Sequence, residues 1–260
     1  MPQHRPRKRF GQHFLHDPEI IERIIAAIAP APGQCLIEIG PGKGALTVPL
    51  LQRAGELHVI ELDRDLAADL IRRCHGIGTL HMNCRDALDF DFGDFSADRK
   101  SIRIVGNLPY NISTPLLFHL LDASAHITDM VFMLQEEVVD RICAGPGTRI
   151  YGRSSVMVQA RCLVDKLFTV GAESFTPPPK VASAIVKLVP RPRTDIQDHK
   201  ILAEIVRQAF SQRRKTLRNA LKGRMDEQQM QNLGIDPGLR PEQLTVEQFV
   251  RIANSVKREA

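Results

Sequence analysis

Hydrophobic and polar positions follow two alternating patterns over the first 190 residues. Short runs rich in β-branched residues, typical of strands, are followed by stretches in which apolar residues recur every three or four positions, as in helices. The predicted strands are 35–39, 57–62, 79–82, 102–105, 130–134, 163–170 and 182–189. The predicted helices between them are 45–53, 66–73, 114–121, 136–143 and 154–160. A further helix is predicted to start at Asp17-Pro18, a capping carboxylate followed by proline, and to stop at Pro30.

Strands that alternate with helices connect through right-handed crossovers into a mostly parallel sheet covered on both faces. The chain is therefore predicted to be an α/β protein with a doubly wound, Rossmann-like sheet, and its last two strands are predicted to form a hairpin at the sheet edge. The proline-rich stretch 190–194 ends this pattern. Only helical spacing follows, at 201–210, 214–221 and 246–256. We predict a sheet domain over 1–190 and a small all-helical domain over 191–260.

Composition limits the class of protein. The chain has 260 residues, of which 43% are hydrophobic and 25% charged, as in globular proteins with a full core. The longest aliphatic stretch, 24–29, is too short to cross a bilayer. The five cysteines are odd in number and never spaced as C-x-x-C, so we expect reduced thiols, a cytoplasmic location and no membrane association. Nothing in the sequence requires a dimer, and we expect a monomer.

The distribution of charge is more informative than the net charge of +5. Residues 1–16 carry four basic side chains and no acid, and residues 191–222 carry nine basic side chains against three acids. Two basic zones on a mildly acidic body are typical of a protein that holds a polyanion, although solvated tails and helix faces give similar runs.

A glycine-rich turn follows the first strand of the predicted sheet. Gly40, Gly42 and Gly44 have the spacing G-x-G-x-G rather than the G-x-G-x-x-G of dinucleotide binders. Glu61 ends the next strand, where a carboxylate can accept hydrogen bonds from both ribose hydroxyls, and Asp86 follows the third, where it can accept from an adenine amine. A nucleoside ligand with no phosphate and a positive charge fits this set, which predicts S-adenosylmethionine and a class I methyltransferase sheet.

The acceptor loop, Asn107-Leu108-Pro109-Tyr110, follows the fourth strand at the same sheet edge. Pro109 favours an extended Leu108, so that the Leu108 carbonyl can project beside the Asn107 amide, and Tyr110 offers a flat face to a base. Two acceptors on an adenine amine would favour its nucleophilic form and orient its lone pair. Phe175, which begins a proline-stiffened loop, is predicted to close the opposite face of an extruded base. A simple strand-ending turn and a stiff hairpin connection are the structural alternatives.

Six stretches make this chain resemble the KsgA/RsmA-type ribosomal RNA adenine dimethyltransferases. They are RKRFGQHFL (7–15), EIGPGKGALT (38–47), VIELDRDLA (59–67), GNLPYNISTPLLFHLL (106–121), GRSSVMVQ (152–159) and FTPPPKVASAIVKLVP (175–190). The helical tail, with FSQRRKTLRNAL (210–221), is also similar to that family's C-terminal domain. The resemblance implies transfer of four methyl groups to the N6 atoms of two adjacent adenines. It places these adenines in a hairpin loop near the 3′ end of 16S ribosomal RNA.

Carried over by position, the resemblance implies contacts to the cofactor from seven residues: His13, Leu15, Gly40, Gly42, Glu61, Asp86 and Asn107. Asparagine is common in the family where His13 stands. The acceptor loop and Phe175 take the catalytic role. The basic zones predict contacts to the RNA backbone. Four residues of the second zone fall largely on one face of a predicted helix: Arg213, Arg214, Arg218 and Lys222. The residues are Arg7, Lys8 and Arg9 in the first zone and Arg213, Arg214, Lys215, Arg218 and Lys222 in the second.

No metal is expected, because His13, His16 and Asp17 do not make a closed ligand set and methyl transfer needs no Lewis acid. Three other functions stay open. One is an antibiotic-resistance type of adenine methyltransferase that acts on large-subunit RNA, which shares the glycine loop and the acceptor-loop chemistry. Another is an assembly or transcription factor that uses the fold as an RNA clamp. The third, a nicotinamide dehydrogenase, rests on fold analogy alone.

Overall fold

The computed structural model describes residues 12–96, 101–212 and 214–256, apart from the side chains of Asp94 and Ser96. The chain forms two compact units, one of residues 1–139 and 165–190 and the other of residues 140–164 and 191–260. The sequence assigned 140–164 to the sheet domain. In the structure these residues belong to the second unit, because Gly147 donates its N–H to the carbonyl of Glu242 and Arg191 donates its N–H to that of Arg161.

The first unit is built on a seven-stranded sheet. The strands of the described chain are β1 (Phe14–Leu15), β2 (Leu36–Ile39), β3 (Glu56–Ile60), β4 (Thr79–Asn83), β5 (Ile102–Asn107), β6 (Ile127–Gln135), β7 (Cys162–Val170), β8 (Phe175–Thr176) and β9 (Ser183–Pro190). The large sheet has the order β4-β3-β2-β5-β6-β9-β7, and β1 pairs with β8 in a separate two-stranded sheet. β2 to β6 are parallel, whereas β9 runs antiparallel to β6. The doubly wound α/β fold is confirmed, with the last two long strands at one edge.

The helices of the described chain lie close to their predicted positions, with two additions. They are α1 (Pro18–Ile28), α2 (Thr47–Ala54), α3 (Arg64–Cys74), α4 (Phe92–Ser96), α5 (Ser113–Asp122), α6 (Glu136–Cys143), α7 (Arg153–Gln159), α8 (His199–Ser211), α9 (Leu217–Ala220), α10 (Glu227–Asn232) and α11 (Val246–Ser255). α4 and α10 have no counterpart in the prediction, and α9 is much shorter than predicted. None of these helices is long and apolar enough to cross a membrane.

The helix predicted over 214–221 is wrong in its first half. The N–H of Leu217 donates to the carbonyl of Leu239 at 2.7 Å, and that of Arg218 to the carbonyl of Pro237 at 3.2 Å. Amides bonded outside the helix mark its first turn, so α9 cannot extend back to Arg214. The basic side chains of this segment therefore do not lie on one face of a continuous helix, as the sequence predicted.

The core of the first unit lies between the sheet and its helices. α1 presents Ile24, Ile25 and Ile28 to this core, and Asp17 caps the helix by accepting hydrogen bonds from the N–H groups of Glu19 and Ile20. These residues confirm the helix start predicted from Asp17-Pro18. The buried strands bring their carboxyl ends to one edge of the sheet, where the loops that follow β2, β3, β4 and β5 meet.

Candidate active site

A cavity of about 320 Å³ lies at the carboxyl edge of the sheet, within the first unit. Four strand-following loops and the segment around β1 form its walls. The lining residues are 12–15, 38–43, 45–46, 60–62, 85–87 and 107–112. All seven residues predicted to contact the cofactor line this one cavity, and so does the whole acceptor loop. Residues separated by almost 100 positions in the sequence thus surround one space, at the place where a doubly wound sheet binds its ligand.

The glycine loop between β2 and α2 forms one wall. Gly42 and Gly44 have φ angles of +54° and +77°, a left-handed conformation that favours glycine. A Cβ on Gly42 would lie 3.3 Å from the Phe14 ring, and one on Gly44 would lie 2.5 Å from a methyl group of Leu70. The loop is therefore compact because it carries no side chains at these two positions, which leaves backbone groups at the cavity wall.

Glu61 is fixed by the backbone on both sides of its carboxylate. One oxygen accepts the N–H of Gly42 at 3.1 Å and the other accepts the N–H of Asp63 at 2.8 Å. The residue is 7% exposed, and burial raises the pKa of its carboxyl group against the effect of these hydrogen bonds. Because each carboxylate oxygen can accept two hydrogen bonds, Glu61 keeps acceptor capacity for a ligand hydroxyl pair.

Glu38 is a wall residue that the sequence analysis did not assign to the site. It is 1% exposed, and its Oε2 atom has no hydrogen-bond partner within the described residues. Burial raises the pKa of the Glu38 carboxyl to about 8, and the charge of nearby Glu61 adds to this effect. A buried acid of this kind favours a positively charged ligand. Its signal in the sequence was a lone carboxylate inside the aliphatic strand Leu36–Ile39.

Asp86, in the loop that follows β4, is the third acidic residue that lines the cavity. It is half-buried, and one of its oxygens accepts the N–H of Leu88 at 2.9 Å, which holds the turn over 87–89. This bond occupies one oxygen and leaves the other side of the carboxylate available to a donor. Glu38, Glu61 and Asp86 thus give the cavity an acidic wall.

The acceptor loop is held from both sides. The side-chain amide of Asn107 donates from Nδ2 to the carbonyl of His13 at 3.2 Å, and the N–H of Leu108 donates to the carbonyl of Met133 at 3.2 Å. The first bond fixes the orientation of the Asn107 amide, so that its Oδ1 atom remains an acceptor. The Leu108 side chain is 1% exposed and anchors the loop in the core.

The Tyr110 side chain is fixed by its hydroxyl and by one ring face. The hydroxyl lies 2.6 Å from Oγ of buried Ser183, and the His13 ring stacks on the tyrosine with centroids 5.5 Å apart and planes 28° apart. Nδ1 of His13 in turn lies 2.8 Å from the carbonyl oxygen of Pro177. Burial raises the pKa of the Tyr110 hydroxyl. Ser183 was not among the predicted site residues, because its signal in the sequence is only a small polar residue at the start of an aliphatic strand.

The structure corrects the prediction for Phe175. Leu15 pairs with Phe175 and Phe14 with Thr176 in the antiparallel β1–β8 sheet. The Phe175 side chain is 2% exposed and packs among aliphatic residues of the core. The ring is not part of the cavity wall, so it does not offer a second stacking face.

The structure describes four of the eight residues that were predicted to contact RNA. Arg214, Lys215, Arg218 and Lys222 are exposed in the second unit, and Arg218 lies 3.4 Å from Glu227. The other predicted contacts, Arg7, Lys8, Arg9 and Arg213, lie outside the described residues.

Comparison with known proteins points to one family. A family model described as ribosomal RNA adenine dimethylase matches residues 3–258. The "Ribosomal RNA small subunit methyltransferase A" of Chromohalobacter salexigens is 54% identical, over 100% of this chain and 94% of that protein. A dimethyladenosine transferase from Plasmodium falciparum has a TM-score of 0.82 at 28% identity, over 92% of this chain and 96% of that one. The 23S rRNA methyltransferase ErmE has a TM-score of 0.74 at 24% identity, over 94% of this chain and 99% of that one.

Proposed function

The chain belongs to the ribosomal RNA adenine dimethylase family, and from this membership we propose its reaction and its substrate. It transfers methyl groups from S-adenosylmethionine to N6 of two adjacent adenines in a hairpin loop near the 3′ end of 16S ribosomal RNA. One structural observation supports this proposal most directly: the glycine loop, three carboxylates and the acceptor loop line a single cavity.

The residues of the cavity fit S-adenosylmethionine. The unpartnered Oε2 atom of buried Glu38 suits a cationic ligand, and the carboxylate of Glu61 suits a ribose. Asp86 suits an amine donor on the adenine ring. A phosphate group would meet the carboxylates of Glu61 and Asp86 here, which argues against the dinucleotide of a dehydrogenase. When bound, S-adenosylmethionine supplies a methyl group on a positively charged sulfur.

The acceptor loop would orient the target adenine. Oδ1 of Asn107 and the carbonyl oxygen of Leu108 accept the two N–H hydrogens of the adenine amine, which directs the nitrogen lone pair away from the loop. Tyr110 holds the base by stacking, which contributes about 1–3 kcal/mol in comparable sites. Alignment of two reactants can itself lower a barrier by about 7–11 kcal/mol in favourable cases. No strong base is required, because the nitrogen loses its proton readily once it carries the new methyl group.

The second unit would hold the RNA. Exposed Arg214, Lys215 and Lys222 offer positive charge to phosphates, and binding of this kind is salt-dependent and reads shape more than sequence. With a substrate in the small ribosomal subunit or its precursor, we place the protein in the cytoplasm, as a monomer that needs no membrane.

The proposed reaction is tested by label transfer from methyl-tritiated S-adenosylmethionine to small subunits that lack the modification. We expect dimethyladenosine from the natural chain and none from Asn107→Ala, which removes an acceptor. Asn232→Ala, an exposed change in α10, is the matched control and retains activity.

Two outcomes would overturn the proposal. Tight binding of the subunit without label would favour the RNA clamp. A parallel reaction supplies large-subunit RNA, and label that enters it but not the small subunits would favour the resistance type of methyltransferase.

A further inference from the structure

Three potential metal ligands lie on β3 and on β4, the outermost strand of the sheet, and none of them lines the cavity. His58 of β3 pairs in register with His81 of β4, the edge strand. Glu56 precedes His58 by two residues, so both side chains lie on the same face of β3. Glu56 begins the strand, whereas Glu61, which lines the cavity, follows its other end.

The ligand atoms of the three side chains converge. Nε2 of His81 lies 2.9 Å from Oε1 of Glu56, and Nε2 of His58 lies 3.7 Å from the same oxygen. One ligand atom from each residue falls within 4.8 Å of the other two. The imidazole rings stack with centroids 4.3 Å apart and planes 13° apart. The donor atoms of two imidazoles and one carboxylate therefore occupy one small volume.

The group combines a rigid ligand with two accessible ones. His58 is 7% exposed, and the Phe95 ring packs edge-on against it with centroids 4.9 Å apart. The side chains of His81 and Glu56 are 44% and 60% exposed, so they can rotate and water can reach them. Packing thus fixes one ligand in advance, while the other two can close on an ion from solution.

We propose that Glu56, His58 and His81 bind a divalent transition-metal ion, for which zinc is the best match. Two imidazole nitrogens and one carboxylate oxygen are a ligand set that zinc accepts, with water in the fourth position. Tetrahedral ligands at about 2.0–2.2 Å from zinc lie roughly 3.3–3.5 Å from one another. The distances from Oε1 of Glu56 to Nε2 of His81 and of His58, 2.9 and 3.7 Å, lie on either side of that spacing. A rotation of the exposed His81 ring would point its nitrogen lone pair at the ion.

The bound ion would clamp the edge strand to its neighbour. Among the described strands β4 pairs with β3 alone, so a metal bridge between β3 and β4 adds a constraint at the edge of the sheet. An ion that binds the folded chain but not the unfolded chain raises the melting temperature. The site is separate from the acidic wall of the cavity and takes no part in methyl transfer.

The test is a zinc titration of the full chain after removal of metal with a chelator. It is made in a Cys84→Ser background, because the exposed Cys84 thiol next to β4 is itself a zinc ligand. Calorimetry and competition with a chromophoric chelator give affinity and stoichiometry. We expect one zinc per chain with micromolar or tighter affinity, and a rise of several degrees in melting temperature.

Variants of the two exposed ligands decide whether these residues hold the ion. His81→Ala and Glu56→Gln should each weaken zinc binding at least tenfold and remove the thermal shift, and circular dichroism checks that they fold. His75→Ala, an exposed histidine beyond α3, is the control and should bind zinc as the parent does. No zinc binding by the parent, or undiminished binding by His81→Ala, would overturn the proposal.

Discussion

The hydroxyl of Tyr110 and Oγ of Ser183 lie 2.6 Å apart. This hydrogen bond connects the acceptor loop to β9, a strand that is antiparallel to β6 in the sheet. It acts together with the His13 ring, which covers one face of the tyrosine. Ser183 and His13 therefore set the orientation of the Tyr110 ring, the proposed stacking face, and both are distant from it in sequence.

Loss of this hydrogen bond should weaken capture of the RNA base. We expect Ser183→Ala and Tyr110→Phe each to raise KM for RNA about five- to tenfold, the equivalent of about 1 kcal/mol. The Kd for S-adenosylmethionine should not change, because neither hydroxyl serves the acidic wall. Steady-state kinetics with small subunits and calorimetry with the cofactor measure the two quantities.

The double variant shows whether the two hydroxyls act as a pair. If they do, Ser183→Ala with Tyr110→Phe is no worse than either single change. Additive losses would mean that each hydroxyl has its own partner.

The buried Glu38 carboxyl should make the stability of the cofactor-free protein depend on pH. In the folded chain its pKa is raised to about 8, whereas the unfolded value is 4.5. Between these values the folded chain keeps a proton that the unfolded chain releases, so the free energy of unfolding falls as pH rises. We expect Glu38→Gln to reduce this fall by at least about 1 kcal/mol between pH 5 and pH 7.5.

Urea unfolding at several pH values measures the slope of the free energy of unfolding against pH. This slope is a better test than the stability at one pH, because the glutamine amide of Glu38→Gln also changes packing. Glu137→Gln, at an exposed position of α6, is the control and should keep the parent slope. An unchanged slope in Glu38→Gln would contradict the assignment of the raised pKa to this residue.

Gly106 should tolerate no side chain. A Cβ at this position would overlap the backbone carbonyl oxygen of Ile39, where β5 passes β2. Because backbone atoms cannot move aside as a flexible side chain can, we expect Gly106→Ala to lower the free energy of unfolding by about 1–3 kcal/mol. Gly145→Ala, with no atom of the described residues within 4 Å of its added methyl group, should be almost neutral in the same chemical denaturation experiment. Equal stability of the two variants would contradict the close approach.

The exposed basic residues of the second unit should set the salt dependence of RNA binding. We expect Arg214→Ala with Lys215→Ala to reduce the slope of log Kd against log salt by roughly 1–2, as expected for two lost phosphate contacts. Arg53→Ala with Arg72→Ala, exposed positions of the first unit, should leave the slope unchanged. Cofactor affinity should stay constant in both. A parent-like slope in the first variant would remove these two residues from the RNA surface.

The sequence predicted the sheet and the position of the cavity well because both depend on local pattern. Glu61, Asp86 and Asn107 follow or end hydrophobic strands, and parallel strands bring such positions to one edge. The orientation of a side chain across a distant pairing has no local signal. Phe175 was predicted to face a base, but it is buried in the core among residues from distant parts of the chain.

Two further features of the structure also depend on contacts between distant parts of the chain. The three residues of the proposed zinc site have no motif spacing, because the register of β3 against β4 brings His81 to His58. The start of α9 depends on carbonyl groups about 20 residues further on, at Pro237 and Leu239, so helical spacing alone placed it too early.

The pairing of β1 with β8 also determines at what stage of synthesis the cavity can form. His13, whose carbonyl accepts from Asn107, contacts Pro177, which follows it by 164 residues. A nascent chain released from the ribosome only as far as β7 would have its glycine loop and all three carboxylates, yet nothing to pair with Phe14 and Leu15. Contacts this distant in sequence form late in folding. The cavity wall is thus completed only when about two-thirds of the chain has emerged.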